Sequence, residues 1–331
     1  MADRIVFEGE LDLQHMNFVT ALSARDLYLD PLIDRAAADE NIVITGADVS
    51  TGGRLGEFKR SYPDRFIEVG IAEADQVGVS AGLALEGKTV YLQGFGPFLA
   101  LRALDQVHTD LAYQNLPVRI INTHAGLTSG GGPTHYNLMD IGVMRMLPNM
   151  LDIVPADAKQ CIKAIEATFD YPGPICIRIA RGAEPLVYTT EDYDYEIGKG
   201  IVALDGTDIT VIGCGSTVAF AVSAANGLAE EGISVRVVDM HTIRPLDKEL
   251  ILKCAKETGA IITAEDHLID GGLGSAVAET LADAGVGIPF KRLAIDNSEF
   301  PPLGDSYELF AHFGYDPEGI KKAVREVLAK K

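Results

Sequence analysis

Short apolar runs alternate with stretches of helical periodicity along most of the chain. The runs are rich in β-branched residues, as buried strands are. Continuous apolar strands separated by helices are typical of a mostly parallel sheet covered by helices on both faces. The pattern therefore predicts an α/β protein with two doubly wound domains. The runs cover residues 41–45, 89–92, 118–121, 209–217, 235–239 and 260–265.

The periodic pattern is interrupted between residues 181 and 200. Gly182, Pro185 and an acidic, tyrosine-rich stretch over residues 191–196 stand in this interval. A short run of like charges is typical of a solvated linker. We therefore predict a first domain over 1–185, a linker over 186–200 and a second domain over 201–331.

One carboxylate stands where an apolar stretch meets a helical pattern. Glu73 ends the segment Arg65–Glu73, and a pattern rich in small residues follows over residues 74–84. Small side chains allow another backbone or a flat ring to approach closely. A Glu in the first turn of a helix is usually a solvated cap, because the helix dipole favours it there. Glu73 alone therefore leaves both interpretations open.

Two aromatic residues follow the second apolar run. Phe95 and Phe98 stand at a glycine-proline turn before a helix predicted over Leu99 to Tyr113. Their rings could stack on a heterocycle, although aromatic residues three apart more often fill the core.

A polar loop follows the third apolar run, and it contains His124, three consecutive glycines and His135. Loops carry function more often than linkers carry two histidines, and histidine exchanges protons near neutral pH. Asp48, Phe95 and His124 each follow a predicted strand within a few residues. Ligands bind at the carboxyl ends of the strands in such sheets, so we expect these residues to lie close together.

Three segments in this order resemble the transketolase family and its relative deoxyxylulose-phosphate synthase: Ile71-Ala72-Glu73, Phe95-x-x-Phe98 and Gly132-Pro133-Thr134-His135. The resemblance extends from about residue 18 to the end of the chain. It implies a thiamine diphosphate enzyme with a pyrimidine-binding domain followed by a transketolase C-terminal domain.

The family's diphosphate-binding domain, which holds magnesium through a Gly-Asp-Gly stretch and a downstream Asn, has no counterpart in this sequence. A chain of 331 residues accommodates about two domains. The resemblance therefore implies the C-terminal subunit of a split transketolase. An N-terminal partner would bind the diphosphate and most of the Mg²⁺ in an α2β2 complex, and the chain alone would be inactive.

The resemblance also implies a set of cofactor-binding residues. Glu73 would hydrogen-bond the aminopyrimidine of thiamine diphosphate and start its activation, while Phe95 and Phe98 would pack on the ring. Leu101 takes a pocket position where the family often has an aromatic residue or Arg, and Asp48 matches an Asp near the cofactor.

For the substrate, the resemblance implies that His135 contacts the ketose oxygens and acts as acid and base. His124, Arg181 and Ser50 match positions that bind the phosphate of the sugar. Gly131 stands where sugar-phosphate transketolases usually have an Asp that binds a substrate hydroxyl. The expected reaction moves a two-carbon ketol unit from a ketose phosphate to an aldose, and Gly131 leaves a branched or modified sugar open.

Three alternatives remain at this point. The chain could be half of a deoxyxylulose-phosphate synthase, which the run Phe98 to Val107 resembles well. It could be the beta subunit of a 2-oxo-acid dehydrogenase, although Gly132-Pro133-Thr134-His135 speaks against it. From another class, it could be a non-catalytic scaffold subunit that keeps the fold.

Composition narrows the choice of partners and location. The net charge of -20 argues against nucleic acid and anionic membranes as partners. The sequence lacks a membrane-spanning apolar run and a signal-peptide profile, which favours a cytoplasmic protein. Four widely separated cysteines without metal-ligand spacing are expected to be reduced core thiols.

The segment Glu265-Asp266-His267, followed by Gly271-Gly272, has the residue types of a metal site. A turn and the start of a helix is the interpretation that we favour. We assign no catalytic residue to the second domain and expect no metal ligand in the chain.

Overall fold

Two helix-covered sheets and one short strand pair make up the protein, in a computed structural model that describes residues 21–188 and 193–331. The strands are buried along most of their length because they carry the apolar runs. In chain order they are β1 (Ala21–Leu22), β2 (Ile42–Gly46), β3 (Phe66–Glu68), β4 (Thr89–Phe95), β5 (Val118–Thr123), β6 (Leu151–Ile153), β7 (Ile175–Ile179), β8 (Glu184–Pro185), β9 (Ile201–Leu204), β10 (Ile209–Gly213), β11 (Val235–Asp239), β12 (Thr242–Arg244), β13 (Ile261–Leu268) and β14 (Phe290–Ile295).

The helices cover both faces of the sheets. Several begin at an aspartate whose side chain accepts hydrogen bonds from N–H groups of the first turn, as at Asp157, Asp247, Asp305 and Asp316. They are α1 (Ala24–Leu27), α2 (Asp30–Ala38), α3 (Gly56–Ser61), α4 (Glu73–Leu85), α5 (Leu104–Gln106), α6 (Asp140–Met146), α7 (Ala158–Ala167), α8 (Thr217–Ala229), α9 (Lys248–Thr258), α10 (Leu273–Asp283), α11 (Ser306–Phe313) and α12 (Pro317–Leu328). Short 3₁₀ turns span Pro63–Arg65 and Leu127–Ser129, and π-helical turns span Phe98–Arg102 and Val107–Ala112.

The first sheet has the strand order β12-β6-β7-β5-β4-β2-β3. All of its strands are parallel except β12, which runs antiparallel to β6. The chain passes from β2 outward to β3 and then returns to β4 on the other side of β2. The strand order thus reverses between β2 and β4, and this is the place where doubly wound sheets bind ligands.

The second sheet has the order β14-β13-β10-β11-β9, and only β9 is antiparallel to its neighbour. Both sheets are therefore mostly parallel and covered by helices, which confirms the predicted α/β fold. Strand β12 comes from the second half of the chain but completes the first sheet. The domain boundaries that we expected from the sequence stay predictions.

Two of the predicted elements end elsewhere in the structure. Residues 209–217 do not form one strand, because β10 ends at Gly213 and Gly215 adopts a left-handed φ of 60° before α8. The turn and helix start expected at Glu265-Asp266-His267 is wrong, since these residues continue β13 to Leu268. The helix expected over Leu99 to Tyr113 forms, with the two π-helical turns as irregularities.

The interpretation of residues 191–196 as a solvated linker is wrong for the aromatic side chains that the structure describes there. Tyr193 is buried and stacks on Tyr188 with ring centroids 4.1 Å apart, and Tyr195 stacks on His241 at 4.4 Å. Alternation explains this, because Asp194 and Glu196 between and beyond them are exposed. The acidic residues Glu191 and Asp192 lie outside the described residues.

The four cysteines are free and buried, as predicted. Within residues 21–188 and 193–331, no helix is long and apolar enough to cross a membrane.

Candidate active site

Glu73 is the first residue of α4 and its side chain is only 3 % exposed. The helix is held against the sheet by a buried polar network. The Gln76 side-chain amide donates to the carbonyls of Thr45 (2.9 Å) and Gln93 (3.0 Å), and Thr45 and Ser80 share a hydrogen bond of 2.9 Å. Buried polar groups with their partners made fix a single arrangement. The network therefore places the carboxylate of Glu73 above the ends of β2 and β4.

Arg102 binds Glu73 directly. Its Nη1 donates to Oε2 of Glu73 at 2.7 Å, and its guanidinium lies over the ring of Phe98, 4.4 Å from the centroid. A cation above an aromatic face is attracted by the ring quadrupole. The acid and the aromatic face are thus both in contact with one planar group that carries N–H donors.

The two phenylalanines lie side by side at the end of β4. The ring centroids of Phe95 and Phe98 are 6.2 Å apart. Gly96 between them has no room for a side chain, because a Cβ there would lie 1.8 Å from Nδ2 of Asn137. A Cβ on Gly52 would lie 2.9 Å from the ring of Phe95. Close backbone packing on both sides therefore sets the positions of the rings.

Both histidines of the loop after β5 contact these rings. His124 lies 3.8 Å from Phe95 between ring centroids and is 5 % exposed. His135 meets Phe98 edge-on at 5.4 Å, and its Nδ1 shares a hydrogen bond of 2.9 Å with the hydroxyl of Thr134. The structure thus joins Glu73, both phenylalanines and both histidines through one series of contacts.

A group of arginines borders His124 on the side away from Glu73. A Cβ on Gly130 would lie 2.7 Å from Nη1 of Arg181, which places Arg181 against the loop. Arg25 is half-buried, and its Nε is buried without a hydrogen-bond partner. Burial lowers the pKa of Arg25, and the charge of Arg54 lowers it further. Several positive charges close together produce a field that favours an anion.

The remaining sequence candidates lie at the rim of this cluster. Asp48 is exposed with a left-handed φ of 57°, and its backbone N–H donates to Oε1 of Glu68 at 2.7 Å. Ser50 is half-buried in the same loop, and its carbonyl accepts from the N–H of Leu55. Leu101 is 45 % exposed, whereas the neighbouring Arg102 makes the contacts to Glu73 and Phe98.

Sequence reasoning missed Arg102, Arg25 and Arg54. Arg102 had a usable signal, because it follows Phe98 by four residues and residues four apart share a helix face. Arg25 had none, since the antiparallel pairing of β1 with β8 brings the start of the chain to Arg181. Such a pairing joins segments more than 150 residues apart and leaves no local pattern.

A pH effect follows from the burial of His124. Desolvation, assisted by the charges of Arg25 and Arg181, lowers the pKa of His124 to about 3, against 6.5 for the free side chain. As the pH falls from 6.5 towards 3, the unfolded chain takes up a proton that the folded chain does not. The free energy of unfolding is therefore expected to decrease as the pH falls through this window.

We expect the H124Q variant to lose part of this pH dependence. His241, whose pKa burial lowers to about 4, contributes in both proteins, so the difference between them isolates His124. Urea unfolding of both proteins at pH 7 and pH 5 measures it. An identical change in unfolding free energy for the two proteins contradicts a neutral, buried His124.

Comparisons with known proteins agree with this geometry. The family model described as "Transketolase, pyrimidine binding domain" matches residues 20–185, and that described as "Transketolase, C-terminal domain" matches residues 198–320. One of the two subunits of the apulose-4-phosphate transketolase of Phocaeicola vulgatus is 43 % identical over 310 residues, covering 93 % of this chain and 98 % of the relative. 1-Deoxy-D-xylulose-5-phosphate synthase 1 of Geobacter sulfurreducens is 38 % identical over 94 % of this chain, which spans 49 % of that relative.

A solved structure described as "Split gene transketolase, inactive beta4 tetramer" aligns with a TM-score of 0.84 and 35 % sequence identity. The alignment covers 94 % of this chain and 99 % of that chain. Both halves of the fold and the buried acid beside its aromatic pair are thus accounted for together: the chain belongs to the transketolase family, which depends on thiamine diphosphate.

Proposed function

We propose that this protein is the C-terminal subunit of a two-chain transketolase that moves a two-carbon ketol unit from a ketose phosphate to an aldose. One observation carries the proposal: the buried Glu73 lies beside Phe98, and Phe98 in turn contacts His135. An acid, an aromatic platform and a histidine at the mouth of the loop are the parts that this chemistry requires from the pyrimidine side.

The residues around Glu73 fit the aminopyrimidine end of thiamine diphosphate. The guanidinium of Arg102 is planar, donates to Glu73 and lies over Phe98. A flat heterocycle that bonds to the acid needs the same two contacts, so the pocket has the shape and the polarity for it. When bound, thiamine diphosphate supplies a carbon nucleophile that breaks and forms the carbon–carbon bond of a ketose.

The chain's own side chains then have separate tasks. Glu73 holds a proton at the ring nitrogen of the pyrimidine, and Phe95 and Phe98 orient the ring at a low entropic cost. His135, which is partly exposed at the end of the loop, exchanges protons with the ketose oxygens. We place Asp48 at the rim of the cofactor site, where the backbone of its loop follows β2.

The arginine-rich end of the cluster suits the phosphate of the sugar. Arg181 offers a planar pair of donors that matches phosphate oxygens. Arg25 adds a buried Nε without a partner, and His124 is held neutral by burial beside them. Ser50 lies in the loop that faces the same end, and we infer that it adds a hydroxyl contact.

Gly131 shapes the part of the pocket next to His135. A Cβ on Gly131 would lie 2.8 Å from both Cβ and Cγ of His135. The histidine therefore packs onto the bare backbone at the position where the resemblance led us to expect an aspartate. Without that carboxylate the site lacks one hydrogen-bond partner for a sugar hydroxyl, and such partners govern discrimination strongly. We infer that the accepted sugar differs from the common ketose phosphates at that hydroxyl, by branching or modification.

The diphosphate and magnesium are assigned to an N-terminal-half partner in an α2β2 complex. The structural relative supports this division of labour, because it comes from a split transketolase and is described as inactive in its beta4 form. The purified chain is therefore expected to transfer no ketol groups and to retain thiamine diphosphate weakly. Mixing it with a companion chain that contains Gly-Asp-Gly and a downstream Asn is expected to restore transfer.

The experiment measures ketol transfer by each chain alone and by the mixture, with the mass of the assembly from light scattering. The companion alone is the control. Turnover by the isolated chain at the rate of the mixture is the result that contradicts the split-site proposal.

A synthase of the deoxyxylulose-phosphate type is the second candidate, because a relative with that activity in its name shares 38 % identity with 94 % of this chain. It would take a two-carbon unit from pyruvate. Release of carbon dioxide from pyruvate by the reconstituted complex, without transfer from a ketose phosphate, would favour it.

A further inference from the structure

The segment Glu265-Asp266-His267 lies in the second domain, and the proposed function gives it no task. All three side chains are buried near the end of β13. Glu265 turns towards its own domain, where its two oxygens accept from the N–H groups of Leu273 and Gly274, each at 2.7 Å, at the start of α10. Asp266 and His267 contact the first domain instead.

Asp266 reaches the glycine loop, residues 124–135, which contains His124 and His135. Its two carboxylate oxygens lie 3.2 and 3.1 Å from the backbone nitrogen of Leu127, which donates to them. The hydroxyl of Tyr315 donates to Oδ1 at 2.8 Å and holds the carboxylate in place. Hydrogen bonds to a charged acceptor are stronger than neutral ones, and burial excludes water as a competitor.

The loop has no alternative to this contact on its inner side. Gly126 adopts a φ of 57°, and a Cβ on it would lie 1.7 Å from Oδ2 of Asp266. The carboxylate thus occupies the space that a side chain at position 126 would fill. Only glycine allows both the backbone conformation and the approach of Asp266.

Other parts of the second domain contact the same loop. The hydroxyl of Ser306 donates to the carbonyl of Leu127 at 2.9 Å. Directly after the loop, the hydroxyl of Tyr136 donates to the carbonyl of Pro302 at 3.0 Å. A Cβ on Gly132 would lie 3.3 Å from Leu303, so the second domain also borders the loop near His135.

We propose that Asp266 is a positioning residue: it fixes the glycine loop and thereby places His135 and the phosphate-binding end of the site for the sugar. The proposal rests on the function proposed above for His135. Loops with three consecutive glycines lose much conformational entropy when they become ordered, and a fixed geometry is what proton transfer to a bound sugar requires. The second domain thus contributes to sugar turnover without touching the sugar.

Two variants with matched local chemistry test the proposal. D266A removes the contact to the loop, whereas E265A removes an equally buried carboxylate one residue away that accepts two backbone N–H groups inside the second domain. Y315F is the milder variant of the same contact, because it removes only the hydroxyl that orients Asp266. It keeps the test decisive if D266A does not fold.

Hydrogen–deuterium exchange on the full chain is the first measurement. We expect D266A, and more weakly Y315F, to accelerate exchange in peptides that cover residues 126–136, while E265A accelerates it only near α10. Exchange in these peptides that stays unchanged in D266A and Y315F overturns the proposal, and so does equal acceleration in E265A. This measurement does not depend on any activity.

Steady-state kinetics of the reconstituted complex are the second measurement. We expect kcat/KM for the sugar phosphates to fall about 10²-fold in D266A, the loss typical of a misplaced reacting group. The affinity for thiamine diphosphate, measured by calorimetry, should stay unchanged because the surroundings of Glu73 do not contact Asp266. E265A should retain kcat/KM. A wild-type complex without ketol transfer would defeat the proposed function, and the exchange data would still decide on the role of Asp266.

Discussion

Replacing Glu73 with glutamine is expected to lower ketol transfer by the reconstituted complex about 10²- to 10⁴-fold, the usual contribution of a proton-transferring side chain. Glutamine preserves the shape of the side chain but cannot hold the proton that the ring nitrogen requires. Glu73 is 3 % exposed and pairs with Arg102, so water cannot easily take its place. The measurement is kcat at saturating thiamine diphosphate and sugar.

Asp75 provides the matched control for this variant. It lies in the same first turn of α4 but is exposed, so D75N changes the charge near the helix terminus without touching the pocket. We expect D75N to keep wild-type turnover. If the E73Q complex keeps full activity, Glu73 is not the activating acid, and the scaffold interpretation of this chain gains support.

Replacing Arg178 with methionine is expected to reduce the free energy of unfolding by about 3–5 kcal/mol, the loss typical of breaking a buried ion pair on one side. Arg178 is 6 % exposed and Asp140 is 1 % exposed, with 2.8 Å between Nε and Oδ2. Burial opposes the charge of Arg178, but Asp140 and Asp266 outweigh it, so its pKa is raised. Methionine would leave the Asp140 carboxylate without its cation.

Arg178 also links the domains, since its Nη2 donates to the carbonyls of Asn137 and Asp266. Urea unfolding of the full chain at pH 7 measures the loss in R178M. R325A is the control, because Arg325 forms an ion pair with Glu231 on the exposed surface, where such pairs contribute little. Equal unfolding midpoints for R178M and the wild type would show that the pair does not support the fold.

Much of the sheet architecture could be predicted from the chain because apolar runs report burial directly. Strand β11 forms over Val235–Asp239, the range expected from the sequence. The carboxyl ends of β4 and β5 bring Phe95 and His124 together as the rule for parallel sheets requires. Strand ends were less certain: β13 extends three residues further than the apolar run, since buried partners satisfy the polar side chains at its end.

The part of the site that the sequence concealed depends on tertiary contacts. Arg102 rather than Leu101 turns to Glu73 in the π-helical turn, where the N–H of Ala103 bonds to the carbonyl of Phe98 five residues back. Regular helical spacing does not anticipate a wider turn of this kind, although such turns are frequent at functional sites. Asp266 likewise appears in sequence as one of three polar residues, and only the packing of the domains separates its role from that of Glu265.

Strand β12 has a consequence for how the molecule holds together. It leaves the second half of the chain to pair with β6, at Thr242 with Ile153 and at Arg244 with Asp152. A fragment that stopped after β8 would carry β6 as a bare edge, open to adhesion with any other extended chain. The two halves therefore behave as one cooperative body during denaturation, and cutting the connection between them would yield a sticky remnant rather than two independent globules.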